Sequence, residues 1–264
     1  MIIDILFNQG TATWSQLRDA VRAAEDSGFS TAWIVDHLSG SVMDAPTMPE
    51  CFSLLGALAA STSTIGLGPL VANVGNRHPG VLANAAATVQ QISHGRLILG
   101  LGAGASPTST YATEHVTLGI PIPHTLRARH DRVGVALDTL AELWSPTRRD
   151  ELATFPLPVP RPPVILGVNS HELARIAGLR TDGVNIRVSH PLRAEILASA
   201  TAAADGCGRS GFIVSVLEWF DESLLVADSP LRRQLQAEGV NRLILQLRGT
   251  PDIGQITRAA PANA

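Results

Sequence analysis

Short runs of aliphatic and β-branched residues alternate along the chain with longer segments whose apolar positions recur at helical spacing. The first pair is Ile2 to Phe7 followed by Trp14 to Ser27, where Leu17, Ala20, Val21 and Ala24 share one helical face. Thr31 to Val35 with Glu50 to Ala60 makes a second pair, and Ile65 to Val71 with Val81 to Ile92 a third. The fourth strand, Arg96 to Leu101, opens into a long loop of Gly, Ala, Ser, Thr and Pro before a helix from Leu126 to Trp144. The proline-rich stretch 146–163 cannot continue a helix and reads as an extended connector. Beyond it the rhythm resumes: Val164 to Val168 with His171 to Ala177, then Gly183 to Val188 with Leu192 to Ala204. Phe212 to Leu217 with Pro230 to Glu238 follows, and Val240 to Leu247 precedes a short terminal helix. Strands joined by helical crossovers form a parallel sheet, and eight of them favour a closed (β/α)8 TIM barrel over an open doubly wound sheet. A chain of 264 residues fits one such barrel of about 250, so the expectation is a single α/β domain over residues 1–264.

Composition narrows the partners. Apolar residues make up 45% of the chain and charged residues 16%, enough for a packed core and too little charge for disorder. The net charge is −3 and the basic residues, all arginine, are scattered, so the basic stripe that nucleic acid requires is missing. Cys51 and Cys207 belong to no C-x-x-C or Cys/His ligand spacing, and the histidines show no i, i+4 metal pairing with an acidic partner. No disulfide framework and no metal are expected. The start, Met1-Ile2-Ile3-Asp4-Ile5-Leu6-Phe7, lacks a basic leader, and no apolar run approaches the roughly 20 residues of a membrane span. The expectation is a cytoplasmic protein with no membrane partner. The hydrolase elbow G-x-S-x-G and the phosphate-binding P-loop are both missing from the sequence.

In a barrel of this kind the chemistry belongs at the carboxyl ends of the strands. Asp36-His37 follows the second strand and suits proton transfer, because His titrates near neutrality and a nearby carboxylate can orient it. A capping Asp beside a surface His is the competing reading. After the fourth strand, Gly102 and Gly104 would let a ligand approach the backbone, or would simply ease a strand out of a crowded barrel. Gly100, Gly102 and Ala105 fit a loose G-x-G-x-x-A pattern, but Ser106-Pro107-Thr108 stands where a helix would have to open. After the fifth strand, Gly167-Val168-Asn169-Ser170 precedes a helix whose free amides suit a phosphate, with Ser170 equally a plain N-cap. Arg187, ending the sixth strand, would complete such a site.

These residues, in this order, resemble the luciferase-like monooxygenase superfamily, and within it the branch that uses a deazaflavin, coenzyme F-420 (an 8-hydroxy-5-deazaflavin), in place of FMN. The resemblance runs through Glu25-Asp26-Ser27-Gly28-Phe29 with Trp33, Asp36 and His37; Thr62 to Gly68; and Arg77-His78-Pro79 with Leu82, Ala83, Ala86, Ala87 and Thr88. It continues through Ser93 to Gly104, Arg127 with Leu143-Trp144, and Thr181-Asp182-Gly183. The resemblance implies a shortened luciferase-like barrel in which His37 serves proton transfer and Asp36 contacts the coenzyme. It also implies a non-prolyl cis peptide at Leu70-Val71, with Ala72 and Asn73 beside it, propping the ring, and a phosphate on the backbone of Gly167, Val168, Asn169 and Ser170. The implied reaction is hydride transfer between the deazaflavin and a small organic substrate. Two alternatives stay open: an FMN-dependent monooxygenase served by a separate flavin reductase, and a degenerate barrel that binds a ligand or partner without turnover. A homodimer, common in the superfamily, would use the apolar stripe Leu54, Leu55 and Leu58, which core packing explains as well.

Three departures limit the resemblance. The aromatic residue expected soon after the Asp-His pair is replaced by Leu38-Ser39-Gly40. The acidic residue expected past the fourth strand has no equivalent at Ala105-Ser106-Pro107, and Glu114 lies well beyond it. The chain is also short between Trp144 and Pro163 and near its end.

Overall fold

The alternation of strand and helix becomes a ring of parallel strands wrapped in helices in the computed structural model, which describes residues 1–259. The strands are β1 (Ile2–Phe7), β2 (Thr31–Ile34), β3 (Gly66–Pro69), β4 (Ala72–Asn73), β5 (Leu99–Gly102), β6 (Val164–Gly167), β7 (Gly183–Arg187), β8 (Ile213–Trp219) and β9 (Arg242–Gln246). Their order is β3-β2-β1-β9-β8-β7-β6-β5-β4. Where the sequence predicts one third strand there are two pieces, divided at the Leu70-Val71 peptide, which is cis. Both pieces run beside β5 and its approach: β3 through a bridge between Leu67 and Leu97, β4 through Ala72 opposite Leu101. They are halves of one stave, so the nine strands make eight staves and the barrel closes.

The helices are α1 (Trp14–Asp26), α2 (Cys51–Ser61), α3 (Pro79–Ile92), α4 (Thr113–Leu118), α5 (Leu126–Leu143), α6 (His171–Arg180), α7 (Arg193–Gly206), α8 (Pro230–Ala237) and α9 (Ile253–Arg258). Local chemistry sets several starts. Thr13 and Gln16 form a reciprocal capping box on α1, and Ser170 and Ser229 cap α6 and α8 through their hydroxyls. α3 begins at Pro79, two residues before the predicted Val81, because proline is preorganised for a first helical turn. The loop predicted between the fourth strand and α5 is not wholly irregular, since it holds α4 and a preceding 3₁₀ turn over Thr110–Ala112.

Strand alternation sorts side chains into two apolar shells. Ile3, Ile5 and Phe7 of β1 face Leu17, Val21 and the other helix residues of the outer shell. Leu6, Trp33, Val35, Leu70, Ile165, Leu217 and Ile244 fill the inside of the ring. Leu55 and Leu58 are fully buried in the outer shell and Leu54 is half-buried against it, so this stripe of α2 packs on the core. Toward the amino-terminal end the interior is sealed by polar groups: Trp33 Nε1 and Arg242 both donate to Asp4 Oδ2, at 2.9 and 2.7 Å, and Arg242 also reaches Thr31 Oγ1 at 2.9 Å. Among the described residues no helix is long and apolar enough to cross a membrane.

Candidate active site

The opposite, carboxyl end of the ring is open, and a cavity of about 440 Å³ lies there. That volume falls in the range of small-molecule sites. His37 reaches it from the exit of β2, where Gln9 holds the backbone by accepting from the Val35 N–H at 3.1 Å and donating to its carbonyl at 2.6 Å. Asp36, the neighbouring residue, also lines the cavity, but its carboxylate does not meet His37. Its carboxylate takes both guanidinium arms of Arg77, at 2.7 and 2.8 Å, and the Asn73 backbone N–H at 2.9 Å. Burial lowers the pKa of Arg77, but the hydrogen bond and charge of Asp36 outweigh it and raise the value, while burial pushes the Asp36 carboxyl up despite the Arg77 bonds that pull it down.

The carboxylate that orients His37 is Glu114, not Asp36. His37 Nδ1 lies 3.0 Å from Glu114 Oε1, and Glu114 Oε2 accepts from the backbone N–H groups of Leu38 and Ser39 at 2.8 and 3.0 Å. Burial alone would raise the Glu114 carboxyl; the His37 bond and the two amides overcome it and hold the group below its ordinary value. Glu114 is therefore the acceptor, Nδ1 carries the hydrogen, and Nε2 of His37 is left to exchange a proton. Tyr111 stacks on the imidazole with centroids 5.4 Å apart and planes at 27°. The sequence reading sets Glu114 aside as too far beyond the fourth strand and misses Tyr111. Its only signal for them was the helical stretch Thr110 to Leu118, carrying an acidic residue, inside a loop of small and polar ones. Next to Glu114, His115 is buried, and that burial pushes its pKa down; its Nε2 lies 3.3 Å from Asn73 Nδ2.

The other expected site residues fall into three groups. Leu70, Val71 and Asn73 line the cavity beside the cis peptide, whereas Ala72 is fully buried in the outer shell. Gly102 and Gly104 also line it, but their form answers to packing: a Cβ on Gly102 would meet Val71 Cγ2 at 2.4 Å, and one on Gly104 would meet Asn73 Oδ1 at 2.6 Å. Gly167, Val168, Asn169 and Arg187 line the far wall, while Ser170 does not; its hydroxyl accepts from the Leu173 N–H at 3.3 Å as an N-cap. The Val168 N–H already donates to the Asn185 carbonyl at 2.8 Å, so an anion there would meet the turn at Asn169 and the first amides of α6. Asn185 and Gln246 line the cavity too and were not anticipated. Among the described residues no cluster of His, Cys, Asp and Glu could hold a metal ion.

Fold and rim cavity together define a (β/α)8 TIM barrel whose site sits at the carboxyl ends of its strands. Residues 5–215 match the luciferase-like monooxygenase family, and the chain belongs to that family. It is 29% identical over 235 residues to the F-420-dependent glucose-6-phosphate dehydrogenase of Nakamurella multipartita, a match covering 84% of this chain and 66% of that protein. It is 31% identical over 185 residues to the 5,10-methylenetetrahydromethanopterin reductase of Archaeoglobus fulgidus, covering 69% and 52%. The chain thus spans between half and two thirds of the length of these curated relatives. Among solved structures, an F-420-dependent secondary alcohol dehydrogenase in complex with an F-420–acetone adduct superposes with a TM-score of 0.77 at 16% identity, covering 97% of this chain and 96% of that one. That likeness is one of fold.

Proposed function

We propose that this protein is an oxidoreductase that moves a hydride between coenzyme F-420 and a small organic substrate. The observation that carries the reading is His37 on the cavity wall, oriented through Nδ1 by the Glu114 carboxylate and stacked on Tyr111, with Nε2 left for proton exchange. The names of both curated relatives, one an F-420-dependent dehydrogenase and the other a reductase, point the same way.

The residues present fit a deazaflavin. The inner wall is apolar, from Leu6, Val35, Leu70 and Leu217, which suits a flat ring, and buried amides at Asn185 and Gln246 suit its polar edge. The turn at Asn169 with Arg187 and His190 suits the anionic chain of the coenzyme. Leu70, Val71 and Asn73 would hold the ring beside the cis peptide, and Asp36 would act through Arg77 and Asn73 by fixing the wall. When bound, the deazaflavin supplies a two-electron hydride acceptor or donor. His37 would take or return the proton at Nε2 that accompanies the hydride, and Glu114 would hold the imidazole in orientation. Tyr111 would exclude water from one side of the imidazole.

Titration of the purified protein with coenzyme F-420 and, separately, with FMN tests the proposal, following quenching of each ligand's fluorescence. Saturable binding of the deazaflavin is expected. Binding of FMN alone would place the chain with the two-component monooxygenases, and binding of neither ring would leave a barrel without turnover.

A further inference from the structure

A second cavity, of about 460 Å³, opens on the amino-terminal face, at the end of the barrel away from His37. Pro163, Asp182 and Phe212 on its wall immediately precede β6, β7 and β8, three strands that are neighbours in the ring. The rest of the wall comes from the turn 208–211 between α7 and β8 and from Arg161 of the proline-rich connector. The proton and hydride chemistry uses nothing on this face.

Donors outnumber acceptors around it. Asp182 is the one carboxylate on the wall and is already engaged: Oδ1 and Oδ2 take Arg161 Nη2 at 2.6 and 2.8 Å, and Oδ2 also takes the Val164 N–H at 2.8 Å. Arg209 is anchored through Nη2, which donates to the Leu179 carbonyl at 2.7 Å. Its Nε is buried without a partner, whereas Nη1, which also lacks a bond among the described residues, is not sealed from solvent. Gly208 and Arg209 close the turn by donating to the Asp205 and Ala204 carbonyls, but the next three backbone N–H groups, of Ser210, Gly211 and Phe212, donate to nothing among the described residues. Gly211 has a φ of 71°, and a Cβ there would meet no atom within 4 Å, so the turn borders open space. Two guanidinium groups and three consecutive free amides around one engaged carboxylate make a positively charged pocket with donors to spare.

We propose that this cavity binds the phosphoryl group of a small ligand, with Arg209 Nη1 and Arg161 on its oxygens and the amides of residues 210–212 completing the shell. Guanidinium forks and successive backbone amides match an anion with several acceptor oxygens. The half-buried Phe212 on the same wall gives an organic substituent of that phosphate an apolar surface to lie on. The site lies at the opposite ends of the strands from the deazaflavin cavity, and it stands or falls independently of the function proposed above.

The test follows the backbone amide resonances of the full chain during titration with inorganic phosphate, with phenyl phosphate and, at matched ionic strength, with sodium chloride. The amides of Ser210, Gly211 and Phe212 should shift and saturate at millimolar concentrations of either phosphate and not with chloride. Arg209→Gln should raise the half-saturating concentration about tenfold, the loss expected for a hydrogen bond to a charged group. Tighter binding of phenyl phosphate would identify an organic phosphate as the ligand and equal affinities would identify free phosphate; both results uphold the site. The proposal is overturned if the three amides drift alike in phosphate and in chloride, or if saturation appears only at Asn169 and the first turn of α6. A folded Arg209→Gln that saturates as wild type does also overturns it. Should Arg209→Gln fail to fold, Arg161→Gln replaces it under the same expectation, and the wild-type shifts decide in either case.

Discussion

The two ends of the barrel interior carry similar polar groups and treat them in opposite ways. At the amino-terminal end Asp4, Trp33, Thr31 and Arg242 bond to one another inside the wall. Only Asp4 Oδ1 is left without a partner there, beside the Arg242 charge that compensates it. At the carboxyl end His37, Asn185 and Gln246 line a cavity; Glu114 holds His37 Nδ1, Ser215 holds Asn185 Nδ2, and Gln246 Oε1 has no partner among the described residues. The lower set closes the ring; the upper set is held in place and kept available. Burial alone does not separate them, because Asp4, Gln246 and Glu114 are all nearly inaccessible. Whether each group's partners lie within the protein does.

Mutation should split the two ends cleanly. Arg242→Leu leaves a buried carboxylate unpaired, and breaking a buried pair by removing one partner costs about 3–5 kcal/mol. Denaturant unfolding should show that loss, with the affinity of the remaining folded protein for the coenzyme retained. An Arg242→Leu protein of wild-type stability with weakened binding would reverse the assignment of the two ends.

His37→Ala should do the opposite. General acid–base partners contribute about 10²–10⁴-fold in rate, so coenzyme reduction or oxidation should slow by that factor. The unfolding midpoint should move less than in Arg242→Leu, because Glu114 keeps its bonds from the Leu38 and Ser39 amides. An unchanged rate would remove His37 from the chemistry.

The contrast also explains what could be read in the sequence. The eight staves were legible because each is a short apolar run beside a periodic helix, a local signal in which Leu17, Val21 and their neighbours declare the buried face. Strand limits moved by one to three residues, and the third strand split where the chain turns through Leu70-Val71. His37 was legible from its place at a strand end. Its partner was not, since Glu114 lies 77 positions away on α4, inside a stretch whose composition reads as loop. Adjacency misled at Asp36: its place next to His37 in the sequence does not bring its carboxylate to the imidazole, and it meets Arg77 instead. Arg242 and Gln246 share the inward parity of β9, yet nothing along the strand says which meets a protein partner and which meets a cavity.

The smallest effects concern protons, and they separate two neighbours within the upper site. Burial depresses the pKa of His115 below its ordinary value of 6.5, so in the unfolded chain it binds a proton at a pH where the folded chain does not. The stability it allows is present above that value and is lost as pH falls toward the folded pKa. Glu114, also held below its ordinary value, here 4.5, contributes stability that persists lower and is lost only as pH drops through the folded carboxyl's own pKa. Between about pH 7.5 and about pH 5.5, wild type should therefore lose more stability than His115→Gln, by no more than about 1.4 kcal/mol per pH unit, the limit for one proton. Over the same interval Glu114→Gln should run parallel to wild type. Urea unfolding of the three proteins across that range reads the difference directly. A His115→Gln curve parallel to wild type would mean that His115 meets solvent in the folded protein, and the site would then be wetter behind Glu114 than the packing around Asn73 implies.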